Sequence, residues 1–211
     1  MRGLDPPTVT VGFRGYTYTA GWRVDAEVNE VKDLSIKTLG RQAAESRQLL
    51  GARRCLYQIH SGLIESGVRE DAAVRDELAR LRAGGLYIGF TATGPRQRDT
   101  IERNVQAGGF DAVQVTWNLL DPSGRPALAA ARAAGLGVIV KEAVVNGRLT
   151  ARGDVSELLR IAAAVGVPPD ALTPAAVLPQ PTARWCDPRP PCAAVVPAGS
   201  DSGRRTSAVA E

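Results

Sequence analysis

RRCLYQIHSGLIESGVREDAAVRDELARLRAGGLYIGFT, residues 53–91, holds a complete strand–helix–strand unit. RRCLYQI (53–59) and LYIGFT (86–91) are short apolar runs rich in strand formers. Between them REDAAVRDELARLRAGG (69–85) has a helical period, with Ala73, Leu78 and Leu81 near one face and Gly84-Gly85 as the stop. The unit then repeats. Pro95 sits where a first helical turn begins; Ile101 and Val105 face inward, and Gly108-Gly109 ends that helix. DAVQVTW (111–117) is a strand, followed by a helix that Ser123 would cap, with Leu128 and Ala131 on one face and Gly135 as its stop. LGVIVKEA (136–143) is the next strand, and Asp154 or Ser156 would cap a helix running through Leu158, Ile161 and Val165 to Gly166. Upstream, TVTVGF (8–13) reads as a strand and Ser35 to Leu50 as its helix, ended by Gly51.

Strand centres near 57, 88, 114 and 139 are spaced by one βα unit each. Strands that alternate with helices imply a parallel sheet, and their near-continuous apolar character fits strands covered on both faces. No GxGxxG follows a strand into a helix and no GxxxxGK[ST] occurs, so the phosphate loops of the common open-sheet enzymes are absent. A β/α barrel is therefore preferred to a doubly wound sheet. A full barrel needs about 250 residues, and the regular part here ends near residue 177. Nine of the 14 prolines lie at or after Pro168, and residues 179–211 read as a Pro/Arg-rich, disordered tail in which only AAVV (193–196) could be a short strand.

Composition narrows the function classes. Hydrophobic residues at 44% and charged residues at 23% describe an ordinary globular chain. No apolar run approaches the roughly 18 residues of a membrane span, and MRGLDPPTVT lacks a signal-peptide core; a cytoplasmic protein without a membrane partner is expected. The net charge of +4 is interleaved with acids, as in REDAAVRDELARLR. That is a solvated helix face, so no nucleic-acid partner is expected. Cys55, Cys186 and Cys192 lie in no metal spacing and are odd in number, which argues against both a zinc module and a disulfide scaffold. With His60 as the sole histidine, a His-rich metal site is excluded.

Chemistry concentrates at the strand ends. His60 closes CLYQIH and shares a face with Leu56 and Gln58. Thr91 and Thr93 follow the next strand, Gln114, Thr116 and Asn118 lie on and after the third, and Lys141 and Glu142 end the fourth. Four successive strand ends turning polar mark a site, because a β/α barrel builds its active site on that rim. Lys141 and Glu142 also read as a plain surface ion pair.

LYQIHS (56–61), ELARLRAGGLYIGFTATGP (77–95), FDAVQVTWNLL (110–120) and GVIVKEAVVNGRLT (137–150) resemble the aldo/keto reductases. GYTYTAGWRVDAEVNEVKDLS (15–35) is similar to a segment of bacterial members, and the likeness runs from about Thr8 to Leu178. The resemblance implies an α/β fold, a (β/α)8 TIM barrel, that reduces aldehydes or ketones by hydride transfer from NADPH. In that family a tyrosine protonates the carbonyl oxygen, a lysine paired with an aspartate lowers the tyrosine's pKa, and a histidine orients the carbonyl. His60 matches that histidine. Thr91 and Gln114 fall where the nicotinamide amide is met, and Lys141, Glu142, Ala143, Asn146, Gly147 and Arg148 form the loop that passes the pyrophosphate.

The departures set the remaining expectations. The chain begins at about the third strand of the family pattern, so about two βα units, with the aspartate and tyrosine, have no counterpart, and the barrel of residues 8–178 is expected to be incomplete. Where the lysine should end a strand stand Gly12, Phe13 and Arg14; a guanidinium is no equivalent proton-relay partner. Tyr16 and Tyr18 are near, but nothing places either as the acid. In the tail, Gly199, Arg204 and Arg205 echo the family's 2′-phosphate loop. The expected protein is a truncated or degenerate reductase with impaired activity, weak NADP(H) binding, and a tendency to self-associate through unpaired strand edges. The alternative is a non-catalytic nucleotide-binding or interaction module. The abrupt change at WCDPRPPC (185–192) is also what a shifted reading frame of a longer reductase gene would give.

Overall fold

The computed structural model describes residues 9–18, 23, 25, 27, 28, 30–177 and 184–185. In chain order its elements are β1 (Val9–Phe13), β2 (Tyr16–Tyr18), β3 (Glu30–Lys32), α1 (Ile36–Leu50), β4 (Arg54–Ile59), α2 (Ala72–Ala83), β5 (Tyr87–Ala92), α3 (Gln97–Ala107), β6 (Ala112–Thr116), α4 (Arg125–Ala133), β7 (Gly137–Lys141), α5 (Ser156–Val165), α6 (Pro169–Val177) and β8 (Arg184–Trp185). The main sheet has the order β1-β4-β5-β6-β7-β8, and every pairing in it is parallel. Among the described strands the order never reverses, so they form no switch point of a doubly wound sheet. The described strands form an open run, with β1 and β8 at its two ends and their sequence order rising steadily across it.

Alternation within each strand sorts the side chains. Tyr57, Ile59, Ile88, Phe90, Val113, Val115, Val138 and Val140 join Leu78, Leu81, Ile101 and Leu128 in one buried core between sheet and helices. The opposite face carries Leu56, Ala112 and Ile139 low down, grouped with Cys55 in a second cluster. Cys55 is disulfide-bonded, so an odd count did not rule out a single cross-link. Gly89 lies on this second face: a Cβ there would stand 3.0 Å from Gln58 Cγ and 3.1 Å from the Ala112 carbonyl. A larger residue would push Gln58 and the Ala112 carbonyl back by a few tenths of an ångström.

Several local expectations are corrected. α2 begins at Ala72 with Asp71 as its cap, accepting the Val74 N–H at 3.2 Å; Val74 is buried and Ala73 is exposed, because Val74 lies four residues before Leu78 and seven before Leu81, on their face of the helix, and Ala73 does not. Ser123 does not cap α4: its hydroxyl donates to Asp121 at 2.6 Å, and Gly124 occupies the cap. Neither Asp154 nor Ser156 caps α5, and Leu158 with Ala162, not Ile161 or Val165, forms its buried stripe. α1 does start after Ser35, whose Oγ accepts the Thr38 N–H. The antiparallel hairpin β2–β3, the helix α6 and the short strand β8, which pairs with β7 at the sheet edge, went unread. AAVV (193–196), Gly199, Arg204 and Arg205 lie outside the described residues. No described helix is long and apolar enough to cross a membrane.

Candidate functional site

Parallel strands present their C-terminal ends together, and here those ends are polar. His60 follows β4 directly, and its N–H donates to the Phe13 carbonyl at 2.9 Å, extending the β1–β4 pairing by one step. Thr91 stands on β5 beside Gln114 of β6 in register, and Thr116 stands beside Lys141 of β7. Thr91 is 5% exposed, Thr116 6% and Asn118 3%, whereas His60, Gln114 and Lys141 are half-buried. Exposure does not follow depth along β6: Gln114 is half-buried, while Thr116 and Asn118 beyond it are buried.

Two hydrogen-bonded groups organise the rim. On the β6–β7 side, Glu142 is the hub. Its carboxylate accepts from Lys141 Nζ at 2.7 Å and from Thr116 Oγ1 at 3.0 Å, while Asn118 Nδ2 donates to its carbonyl at 3.3 Å. Glu142 has a φ of 60°, a left-handed conformation that costs a non-glycine residue about 1–3 kcal/mol unless its surroundings fix it. The Lys141 ammonium, helped by Thr116, holds the Glu142 carboxyl below the usual carboxylate range despite some burial. The plain ion-pair reading of Lys141 and Glu142 thus holds as geometry. On the β4–β5 side, Ser61 is the hub. Its N–H donates to Thr91 Oγ1 at 2.7 Å, its carbonyl accepts from Lys32 Nζ at 2.9 Å, and its Oγ lies 3.3 Å from His60 Nδ1.

The residues assigned to the pyrophosphate loop divide. Ala143 is 4% exposed and packs into the main core. Val145, Asn146 and Gly147 all have positive φ, and the N–H groups of Gly147 and Arg148 are spent within the turn on Val144 and Val145. Arg148 Nε bonds Asp154 at 2.9 Å. Around these residues lies an open cleft of about 630 Å³, which Arg152 and Asp170 also line. Two arginines and two aspartates line it, of which Arg148 and Asp154 are paired.

At the end of β1 there is no lysine: Phe13 is fully buried and Arg14 is exposed. Sequence reasoning missed Lys32, which the hairpin carries to the rim from another element. Desolvation pulls its ammonium below the ordinary lysine range, although the residue as a whole is exposed. It also passed over Ser61. The signal available for the hairpin was the alternation in YTYT (16–19) and in EVK (30–32). Tyr16 pairs with Lys32 in the hairpin register; the side chains of Tyr16 and Tyr18 lie outside what is described. Among the described residues no cluster of three or more His, Cys, Asp or Glu could hold a metal.

No family model matches the sequence, and no curated protein matches it significantly. Solved structures do. The holo form of aldo-keto reductase AKR11C1 from Bacillus halodurans superposes with a TM-score of 0.60 at 17% identity, over 78% of this chain and 58% of that one. Its apo form gives 0.55 at 17% identity, over 72% and 58%. The fold is aldo-keto reductase-like. At this identity the likeness concerns the fold alone, and this aldo-keto reductase-like chain spans less than two thirds of the length of either structure.

Proposed function

We propose that this chain is a nicotinamide-dinucleotide-dependent carbonyl reductase of reduced catalytic power, acting on small aldehydes or ketones. The observation that carries the reading is the polar rim of an aldo-keto reductase-like sheet, with His60 directly after β4. A bound dihydronicotinamide would supply hydride to the carbonyl carbon. His60 would hold the carbonyl oxygen by a ring N–H. Gln114, half-buried beside Thr91, would meet the carboxamide, and the buried Gln58 Oε1, which has no hydrogen-bond partner, is a second amide on the same face. Thr91 Oγ1 already accepts the Ser61 N–H, which leaves its hydroxyl proton for a ligand. Asn146, Gly147 and Arg148 would carry the phosphates beside Lys141, Glu142 and Ala143. Arg148 must first leave Asp154, so affinity is weak and the preference for NADP(H) over NAD(H) small.

The end of β1 favours a second reading. With Phe13 buried and Arg14 in place of a lysine, the chain would bind nucleotide without turning over. General acid catalysis is worth roughly 100- to 10,000-fold, so the first reading expects turnover far below the roughly 1 per second of an ordinary enzyme. The test is NADPH oxidation over a panel of aldehydes and ketones, paired with calorimetric titration of both cofactors. Slow turnover abolished by His60→Ala supports reduction. Cofactor binding without turnover favours the second reading. Turnover that survives His60→Ala, or no cofactor binding at all, overturns the assignment. The open edge of β1, which pairs only with β4 among the described strands, is the proposed route of self-association. Size-exclusion at rising concentration reads it.

A further inference from the structure

Helices that follow one another along the sheet do not pack evenly. α1 lies against α2 and α3 against α4, but α2 and α3 stand apart. A cleft of about 390 Å³ opens between them, a size that suits a small organic molecule. Ile59, Val68 and Leu78, all buried, and the half-buried Phe110 give it an apolar floor. On the α3 side the wall is bare, because a Cβ built on Gly108 or Gly109 would meet nothing within 4 Å. Ile59 belongs to the core between sheet and helices and alternates along β4 with Gln58. The cleft therefore lies on the side of the sheet away from Gln58.

Its polar lining is cationic. Arg75, Ala79 and Arg82 recur at i, i+4 and i+7 along one face of α2, and Arg69 stands just ahead of that helix. Two of these guanidiniums are already matched: Arg82 bonds Asp111 at 2.5 Å and Arg69 bonds Glu70 at 3.0 Å. Glu70, the acidic residue among the described lining, also lies 3.7 Å from Arg103. Arg75 has no carboxylate within ion-pair distance among the described residues. We propose that this cleft binds a small organic carboxylate with an aromatic body, which covers Ile59, Leu78 and Phe110 while the carboxylate pairs with Arg75. The single unmatched charge suits a monoanion, and the guanidinium fork suits the two oxygens of a carboxylate. The inference uses no residue of the polar rim and stands apart from the reduction proposed above.

The probe is 2-naphthoate, titrated into the ¹⁵N-labelled full-length protein, with 2-naphthamide as its neutral counterpart. A dissociation constant on the order of 0.1–1 mM is expected for a ligand of this size at an open site, with saturating shifts at the Gly108 and Gly109 amides. Arg75→Gln should weaken naphthoate by roughly 5- to 10-fold, an exposed charged hydrogen bond being worth less than a buried one, and leave naphthamide unchanged. Ala79→Trp, at an exposed position of α2, fills the cleft and should abolish binding of both. Unchanged urea midpoints show that the variants fold; should Ala79→Trp lower its midpoint, Arg75→Gln alone decides. NADPH should not displace naphthoate. No saturable shift at roughly ten times the expected constant, undiminished binding to Arg75→Gln, naphthamide matching naphthoate, or displacement by NADPH each overturns the inference. A protein that binds naphthoate as expected and no cofactor keeps this site and loses the reduction.

Discussion

Thr91→Val separates two uses of one hydroxyl. Thr91 Oγ1 accepts the Ser61 N–H at 2.7 Å and is 5% exposed. Valine keeps the shape and the β-branch, so the packing on β5 survives. What it removes is the acceptor, leaving a partly buried backbone N–H unpaired at a residue already held at φ 51°. An unsatisfied buried donor costs about 1–3 kcal/mol, and a valine methyl in place of the hydroxyl offsets a fraction of that, so about 1–2 kcal/mol is expected. For a domain of this size each kcal/mol moves Tm by about 2–4 °C, giving a fall of roughly 2–8 °C. Urea unfolding followed by circular dichroism measures it, with an unchanged m-value as evidence that only stability moved. Thr10→Val, at an exposed position of β1, is the control and should stay within about 0.5 kcal/mol. If Thr91→Val is no more destabilising than Thr10→Val, the hydroxyl does not hold Ser61, and Thr91 is left with a ligand role alone.

Phe90, fully buried and edge-on to Phe110 at 4.8 Å between ring centroids, should lose about 3–5 kcal/mol on Phe90→Ala, read as a large fall in the urea midpoint. Asp71→Ala removes the side-chain cap of α2 and should cost about 1 kcal/mol, visible by the same assay. Glu142 is held below the usual carboxylate range chiefly by Lys141. Its contribution is therefore present above the ordinary glutamate pKa of about 4.3 and fades as pH falls through the lower, folded value. Lys141→Met should flatten the acid limb of a Tm-against-pH curve; an unchanged limb would refute the pairing.

The strands, the helices and the polar strand ends were legible because each is a local pattern. Apolar runs at one-βα-unit spacing set β4 to β7, and Ser35 and Gly51 bracketed α1. The register of β5 against β6 then brought Thr91 beside Gln114 as the pattern required. Where the reading slipped, a local signal had a competitor. Ser123 looks like a cap, but the nearer Asp121 carboxylate takes both its N–H and its hydroxyl. Ala73 reads as inward in the sequence, but the i, i+4, i+7 spacing puts Val74 there with Leu78 and Leu81.

What the sequence by itself determined is the alternation of strand and helix and the placing of His60, Thr116 and Glu142 at strand ends, since periodicity and side-chain type act within a few residues. Only the tertiary structure decided the order of the strands, the hairpin that carries Lys32 to the rim, and the partners of Ser61. Those bonds join residues 29 and 30 positions apart. No local propensity encodes them. They exist because parallel register aligns the ends of β4 and β5 while a short antiparallel ribbon folds back over them. A strained serine can persist there because three separate strands fix the backbone around it.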